Sequence, residues 1–158
     1  MFSFLRQVFC HRPLFSDGEI ELYLSDTDVS DPECGIDDGY LFNILDKKTR
    51  KYVGYVSLRL GESPALFYLG HIGYRIQPEW RGHSYAFRAC RMLVPFIAKL
   101  RLESIVITTD VDNFASRRTC EKLNCHLESI MPVPPIYRGI CSGSVAKCRY
   151  IWTDFPRT

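Results

Sequence analysis

Arg81-Gly82-His83-Ser84-Tyr85-Ala86 is the stretch on which the reading of this chain turns. Before it, an apolar, strand-like run extends from Tyr68 to Ile76 and closes on Gln77-Pro78-Glu79-Trp80. After it, Phe87 to Leu100 has a helical period, with Ala86, Ala89, Cys90, Leu93, Ile97 and Leu100 on one face and Arg88, Arg91 and Lys99 on the other. Pro95 interrupts that helix, which demands a kink or a cost of about 3 kcal/mol. A loop of small residues between a strand and a helix is a ready anion site. The first N–H groups of the helix lack partners of their own and carry the positive end of its dipole. Gly82 and Ala86 let phosphates approach the backbone, and Arg81 can add a charge-assisted bond. The loop is not a Walker A motif, since no Gly-Lys-Ser/Thr follows, and it lacks the three-glycine dinucleotide fingerprint. Alone, it could equally be an ordinary helix start.

The next segment adds weight. Glu103 to Thr109 is a short β-branched run of the buried-strand kind, leading through Asp110-Val111-Asp112 into a helix from Asn113 to Asn124. Asp112 or Asn113 would cap this helix, with Ala115, Thr119 or Cys120, and Leu123 facing inward. A strand from His126 to Met131 follows.

In this order of elements the chain resembles the Gcn5-related N-acetyltransferases. Their pyrophosphate loop, Arg/Gln-x-x-Gly-x-Gly/Ala, is matched by Arg81 to Ala86, and the Pro78-Glu79-Trp80 lead-in is also similar. Their second landmark, an Asn with a small residue three positions on and a helix ending Glu-Lys-Leu-Gly-Phe, is matched by Asn113, Ser116 and Glu121-Lys122-Leu123-Asn124-Cys125. Arg81 and Asn113 are 32 residues apart, and the match covers roughly residues 40 to 131. The resemblance implies an α/β fold with a central mixed, mostly antiparallel sheet flanked by helices and splayed where acetyl-CoA binds. It makes residues 1 to 158 one N-acetyltransferase domain, with 1 to 18 as an irregular aromatic tail and the motifs in a core of about 40 to 131.

The coenzyme would be held by Ile76 and Gln77 on the strand, by Arg81, Gly82, His83, Ser84, Tyr85 and Ala86 in the loop, and by Asn113 and Ser116. Backbone N–H groups near Gly73 to Arg75 would face the reacting carbonyl. Three departures stand out. Ser84 replaces a glycine of the loop, Asn124 replaces the glycine that ends the second helix, and Cys120 stands where many members carry the tyrosine that protonates the thiolate. Asn is the next-best residue for a left-handed cap. Ser116 is the leading candidate for the acid, because ribosomal-protein N-terminal acetyltransferases similar to this chain use a serine there to hydrogen-bond the sulfur. Its alternative role is a bond to the preceding helical turn. Cys120 is a third option. His71, which titrates near neutrality, is the candidate base, with Tyr74 and Glu79 behind it.

Composition narrows the alternatives. A chain of 158 residues with 46% hydrophobic and 24% charged residues can build one substantial core. A net charge of +2 with no basic stripe argues against nucleic acid, and the longest apolar run, Met92 to Ala98, is too short for a membrane span. Seven cysteines without a C-x-x-C pair suggest neither a disulfide framework nor a metal site, and a reducing cytoplasm.

Glu19 to Leu24 reads as the first strand, Tyr40–Leu45 and Tyr52–Leu60 as a hairpin, and Lys147 to Thr153 as the closing strand. Between them, residues 25 to 39 are acidic and turn-rich, where the family usually has helices framing the acceptor. The acceptor pocket is then open or completed by a second copy in a homodimer. Asp26, Asp28, Asp31, Glu33, Asp37 and Asp38 could attract a cationic acceptor or simply face solvent. The expected activity is direct acetyl transfer from acetyl-CoA to a primary amine in a ternary complex, because no covalent nucleophile is set up. A small amine or amino acid is the first acceptor, and a protein N-terminus or lysine the second. The rival readings are a catalytically silent coenzyme A-binding regulatory module and an interaction domain without coenzyme.

Overall fold

The computed structural model describes residues 12–27 and 30–156. Asp28 and residues 1–11 of the tail lie outside the described residues. The strands are β1 (Phe15–Ser16), β2 (Ile20–Asp26), β3 (Asp38–Asp46), β4 (Tyr52–Leu60), β5 (Ile72–Ile76), β6 (Ile105–Asp110), β7 (His126–Pro132) and β8 (Ala146–Trp152). The helices are α1 (Pro64–Leu69), α2 (Tyr85–Met92), α3 (Val94–Lys99) and α4 (Phe114–Lys122). One eight-stranded sheet runs in the order β1-β2-β3-β4-β5-β6-β8-β7, antiparallel except between β5 and β6. The expected mixed, mostly antiparallel sheet with flanking helices is therefore present.

Alternation along the strands sends Phe42 and Ile44 of β3, Val56 and Leu58 of β4, Ile107 of β6 and Tyr150 of β8 to the same face. There they pack against Ala89, Cys90, Leu93, Ile97, Cys120 and Leu123 from α2, α3 and α4. The interruption expected at Pro95 is present. The expected long helix stops at Leu93 and restarts, so the proline falls in the first turn of α3, where no N–H is needed. Ala115 is exposed rather than inward, because α4 turns Cys120 and Leu123 to the core. Phe15 and Phe96 meet edge-on, so part of the tail is a short strand rather than irregular chain.

The apolar run from Tyr68 is not all strand. Ser63 caps a helix at Pro64, its Oγ accepting the Leu66 N–H at 3.0 Å, and only Ile72 to Ile76 are extended. The opposite face of the sheet carries just α1 and the loops around Cys34 and Tyr137, in a second, smaller cluster of Cys34, Ile36, Ala65 and Leu66. Residues 30–37 form no helix, only a bridge between Asp31 and Ile36. Among the described residues, no helix is long and apolar enough to cross a membrane.

Candidate active site

The two halves of the sheet join at one point. β5 and β6 share a single registered pair, Ile72 with Ile107, and then part. The joint is fastened by β5's own start. The His71 N–H donates to the Val106 carbonyl at 2.8 Å, and the Val106 N–H donates to His71 Nδ1 at 3.0 Å. Thr108 Oγ1 adds bonds to the Tyr68 and Leu69 carbonyls at 2.9 and 3.0 Å. Past this joint, β5 stays paired with β4 through the odd-numbered positions, as in the Gln77 N–H to Val53 carbonyl bond at 2.8 Å. Alternation then turns the N–H and C=O groups of Tyr74 and Ile76 into the gap. Of the strand residues read as coenzyme contacts, Ile76 thus presents its backbone to the gap, whereas the Gln77 N–H is taken by β4.

The floor of the gap is a pair of hydroxyls. Tyr74 leaves β5 on the helix face and reaches α4, where its phenol oxygen lies 2.7 Å from Ser116 Oγ. Asn113 caps α4 by accepting the Ser116 N–H at 3.1 Å, which sets the height of Ser116 over the gap. Burial drives the Tyr74 phenol well above its ordinary pKa, with the Cys120 and Cys90 thiols pushing the same way. It is therefore a neutral donor at physiological pH. Cys120 is wholly buried, and its thiol is raised by its bond to Cys125 and by burial, so it holds its proton. The Tyr74 phenol from β5 thus lies beside both Ser116 Oγ and the Cys120 thiol.

His71 stands at the closed end of the gap with Nδ1 already occupied. Burial pulls its pKa below 6.5, with Glu62 opposing from 4.0 Å. The sequence brings His71 forward as a base, but its geometry is that of a pin between β5 and β6. Glu79 sits in an exposed turn, Pro78–Trp80, beyond the open end.

At that open end lies the loop. Arg81 Nε donates to the Ile76 carbonyl at 3.2 Å, which folds the chain back over the end of β5. Gly82 has φ of +85° and Ser84 has φ of +58°, a left-handed position that explains why glycine suits it. Among the described residues, the N–H groups of Gly82, His83 and Ser84 have no hydrogen-bond partner. Those of Tyr85 and Ala86, in the first turn of α2, have none within the helix. His83 stacks on Tyr85 with ring centres 5.2 Å apart, so Tyr85 supports the loop from beneath while its own ring is buried. Lys122, which the sequence did not single out, reaches from the end of α4 to Ser84 Oγ at 2.6 Å. Unclaimed N–H groups, a helix N-terminus and two nearby cations make this end an anion cradle.

A parted parallel pair with such a cradle at its mouth is a specific arrangement. The sequence profile of the acetyltransferase (GNAT) domain matches residues 10–126. The chain belongs to the GNAT family. The matched profile describes an acetyltransferase domain, and it spans most of this chain. No curated protein matches it in sequence.

Solved GNAT structures share its fold. The ribosomal-protein-S5-alanine acetyltransferase of Vibrio fischeri is 22% identical, with a TM-score of 0.58 over 73% of this chain and 62% of its own. The microcin C7 self-immunity acetyltransferase MccE, solved with acetyl-CoA and AMP, is 23% identical, with a TM-score of 0.56 over 73% of this chain and 61% of its own. RimL, a ribosomal L7/L12 α-N-protein acetyltransferase, is 16% identical, with a TM-score of 0.62 over 87% of this chain and 94% of its own. The chain thus spans about three fifths of MccE and of the Vibrio fischeri enzyme. Among the described residues, no three His, Cys, Asp or Glu side chains converge as a metal site.

Proposed function

We propose that this GNAT domain transfers acetyl directly from acetyl-CoA to the amine of a small molecule or amino acid, both bound at once. The observation that carries the reading is the gap between β5 and β6, with an anion cradle at its mouth and the Tyr74–Ser116 hydroxyl pair on its floor. The coenzyme's pyrophosphate lies on the N–H groups of residues 82–86, helped by Arg81 and Lys122. Its arm pairs with the Tyr74 backbone and the Ile76 N–H, as a strand would, the Ile76 carbonyl being taken by Arg81.

The neutral amine attacks the thioester carbon from the open face of the sheet. A backbone N–H turned into the gap stabilises the developing oxyanion. As the carbon–sulfur bond breaks, the electron pair stays on sulfur. Tyr74 donates to Ser116 Oγ, which leaves the Ser116 hydroxyl proton free to bond the sulfur, and the proton lost by the amine balances the thiol. This relay removes the main support for a silent coenzyme binder, since the phenol missing at Cys120 is supplied from β5. A second acceptor, a protein N-terminus, is favoured by the helix-free segment at residues 30–37, which leaves the acceptor face wide enough for a chain end.

Initial rates of thiol release, with both substrates varied, test the order of events. Direct transfer predicts intersecting double-reciprocal lines. Parallel lines with an acetylated protein intermediate would refute it.

A further inference from the structure

We infer that Arg59 is the acceptor's anchor, and that the acceptor is an amine carrying a carboxylate two or three bonds from its nitrogen, as in a free α-amino acid. The inference rests on the acetyl-transfer reading and names the substrate class of that site.

Tyr55, Ser57 and Arg59 alternate onto the face of β4 opposite Val56 and Leu58 of the core, where Ser57 is buried. There the Arg59 guanidinium lies over Gly73 of β5. A methyl group added to Gly73 would come within 2.6 Å of Arg59 Nη2 and 3.1 Å of Ser57 Oγ, so the absence of a side chain at Gly73 is what admits the guanidinium. Of its five N–H donors, one is used, by Nη1 to the Gly70 carbonyl at 3.2 Å. Among the described residues no carboxylate pairs with it. Burial acts to lower its pKa, opposed by the Tyr55 phenol and the Cys34 and Cys141 thiols. Arg149, the next cation along this face, is by contrast paired with Glu128 at 2.6 Å, while Glu62 is exposed at the rim.

A part-buried guanidinium with free donors and no counter-ion invites an anion to complete it. The coenzyme's phosphates cannot be that anion. From Gly73 to Gln77 the strand rises about 13 Å toward the cradle, so the pyrophosphate sits at the other end of β5. The reacting centre, by contrast, is close. Gly73 and Tyr74 are neighbours about 3.8 Å apart at Cα, and the Tyr74 N–H faces the gap. A carboxylate held by the Arg59 fork, with the amine two or three bonds away, bridges that step and presents the nitrogen to the thioester. A peptide N-terminus, with an amide in place of the carboxylate, leaves the guanidinium unpaired.

The test is thiol release with a panel of free amino acids, their C-terminal amides and their decarboxylated amines, alongside acetyl-CoA binding by calorimetry. Wild type should use the best acid over its amide by about 10- to 100-fold in kcat/KM, the worth of a hydrogen-bonded charge. Arg59→Gln should collapse that ratio toward one, and Arg59→Lys should restore part of it. The wild-type ratio stands even where a variant folds poorly. Equal use of acids and amides, or better use of peptide N-termini, with acetyl-CoA bound normally, would overturn this inference alone. Failure to bind acetyl-CoA would remove the cradle reading and this one with it.

Discussion

Tyr74→Phe isolates the chemistry from the fold. The substitution removes one oxygen, 2.7 Å from Ser116 Oγ, and leaves the ring in place. A lost bond of this kind is worth about 1 kcal/mol, so the melting temperature should fall by only about 2–4 °C. Proton donation in a transition state is worth roughly 10²- to 10⁴-fold, so kcat should fall by at least about 100-fold while acetyl-CoA affinity holds. Ser116→Ala should cost a similar factor, and the double variant little more than either, because the two hydroxyls act as one relay. Since the phenol is held well above its ordinary pKa, wild-type kcat should show no loss of the acid up to about pH 10. The assay is thiol release at saturating acetyl-CoA with the fastest acceptor amine. Full kcat in Tyr74→Phe, or strictly multiplicative losses in the double variant, would refute the relay.

His71→Ala should act on stability rather than on the acid–base limbs of the rate. It strands the Val106 N–H at the joint, at a cost of about 1–3 kcal/mol in denaturant unfolding, yet should keep the shape of the kcat–pH profile. A His71 pKa lowered by folding makes the native state bind fewer protons than the unfolded one. That share of stability is therefore complete above about pH 6.5 and lost as the pH falls through the window below it. The variant should lack this loss, and a vanished acidic limb in its rate profile would restore His71 as the base. Ser84→Gly relieves a left-handed residue worth about 1–2 kcal/mol, offset by about 0.4–1 kcal/mol of unfolded-chain entropy and by the exposed Lys122 bond. Melting should rise by about 1–2 °C with acetyl-CoA bound no more weakly, and a drop of several degrees would contradict the strain argument.

The parts of this site that lay in one stretch of chain were readable from the sequence. The loop at Arg81–Ala86 and the Asn113 cap with Ser116 each announce themselves through small residues, a cap and a helical period. Asn124 does adopt the left-handed cap expected of it, with φ of +60°. What escaped was assembled across distance. Tyr74 meets Ser116 over 42 residues, and Lys122 meets Ser84 over 38. Arg59 lies against Gly73 only because β4 and β5 pair in that register. Helix α1 was hidden differently. Ser63-Pro64 is a helix start, but the helix's last residues, Tyr68 and Leu69, merge with β5 and read as one strand. No sequence feature tells whether a strand histidine offers its Nδ1 to a neighbouring backbone, as His71 does.

Calorimetric titration of the purified protein with acetyl-CoA, beside an Ala86→Asp variant, tests the central claim. Ala86 lies in the first turn of α2, where a carboxylate favours the helix dipole but repels a phosphate, so the variant keeps its fold and loses its ligand. The account predicts roughly micromolar binding by the wild type and none by a variant of undiminished thermal stability. Equal binding by both, or no binding by the wild type, would mean that the loop is only the start of a helix.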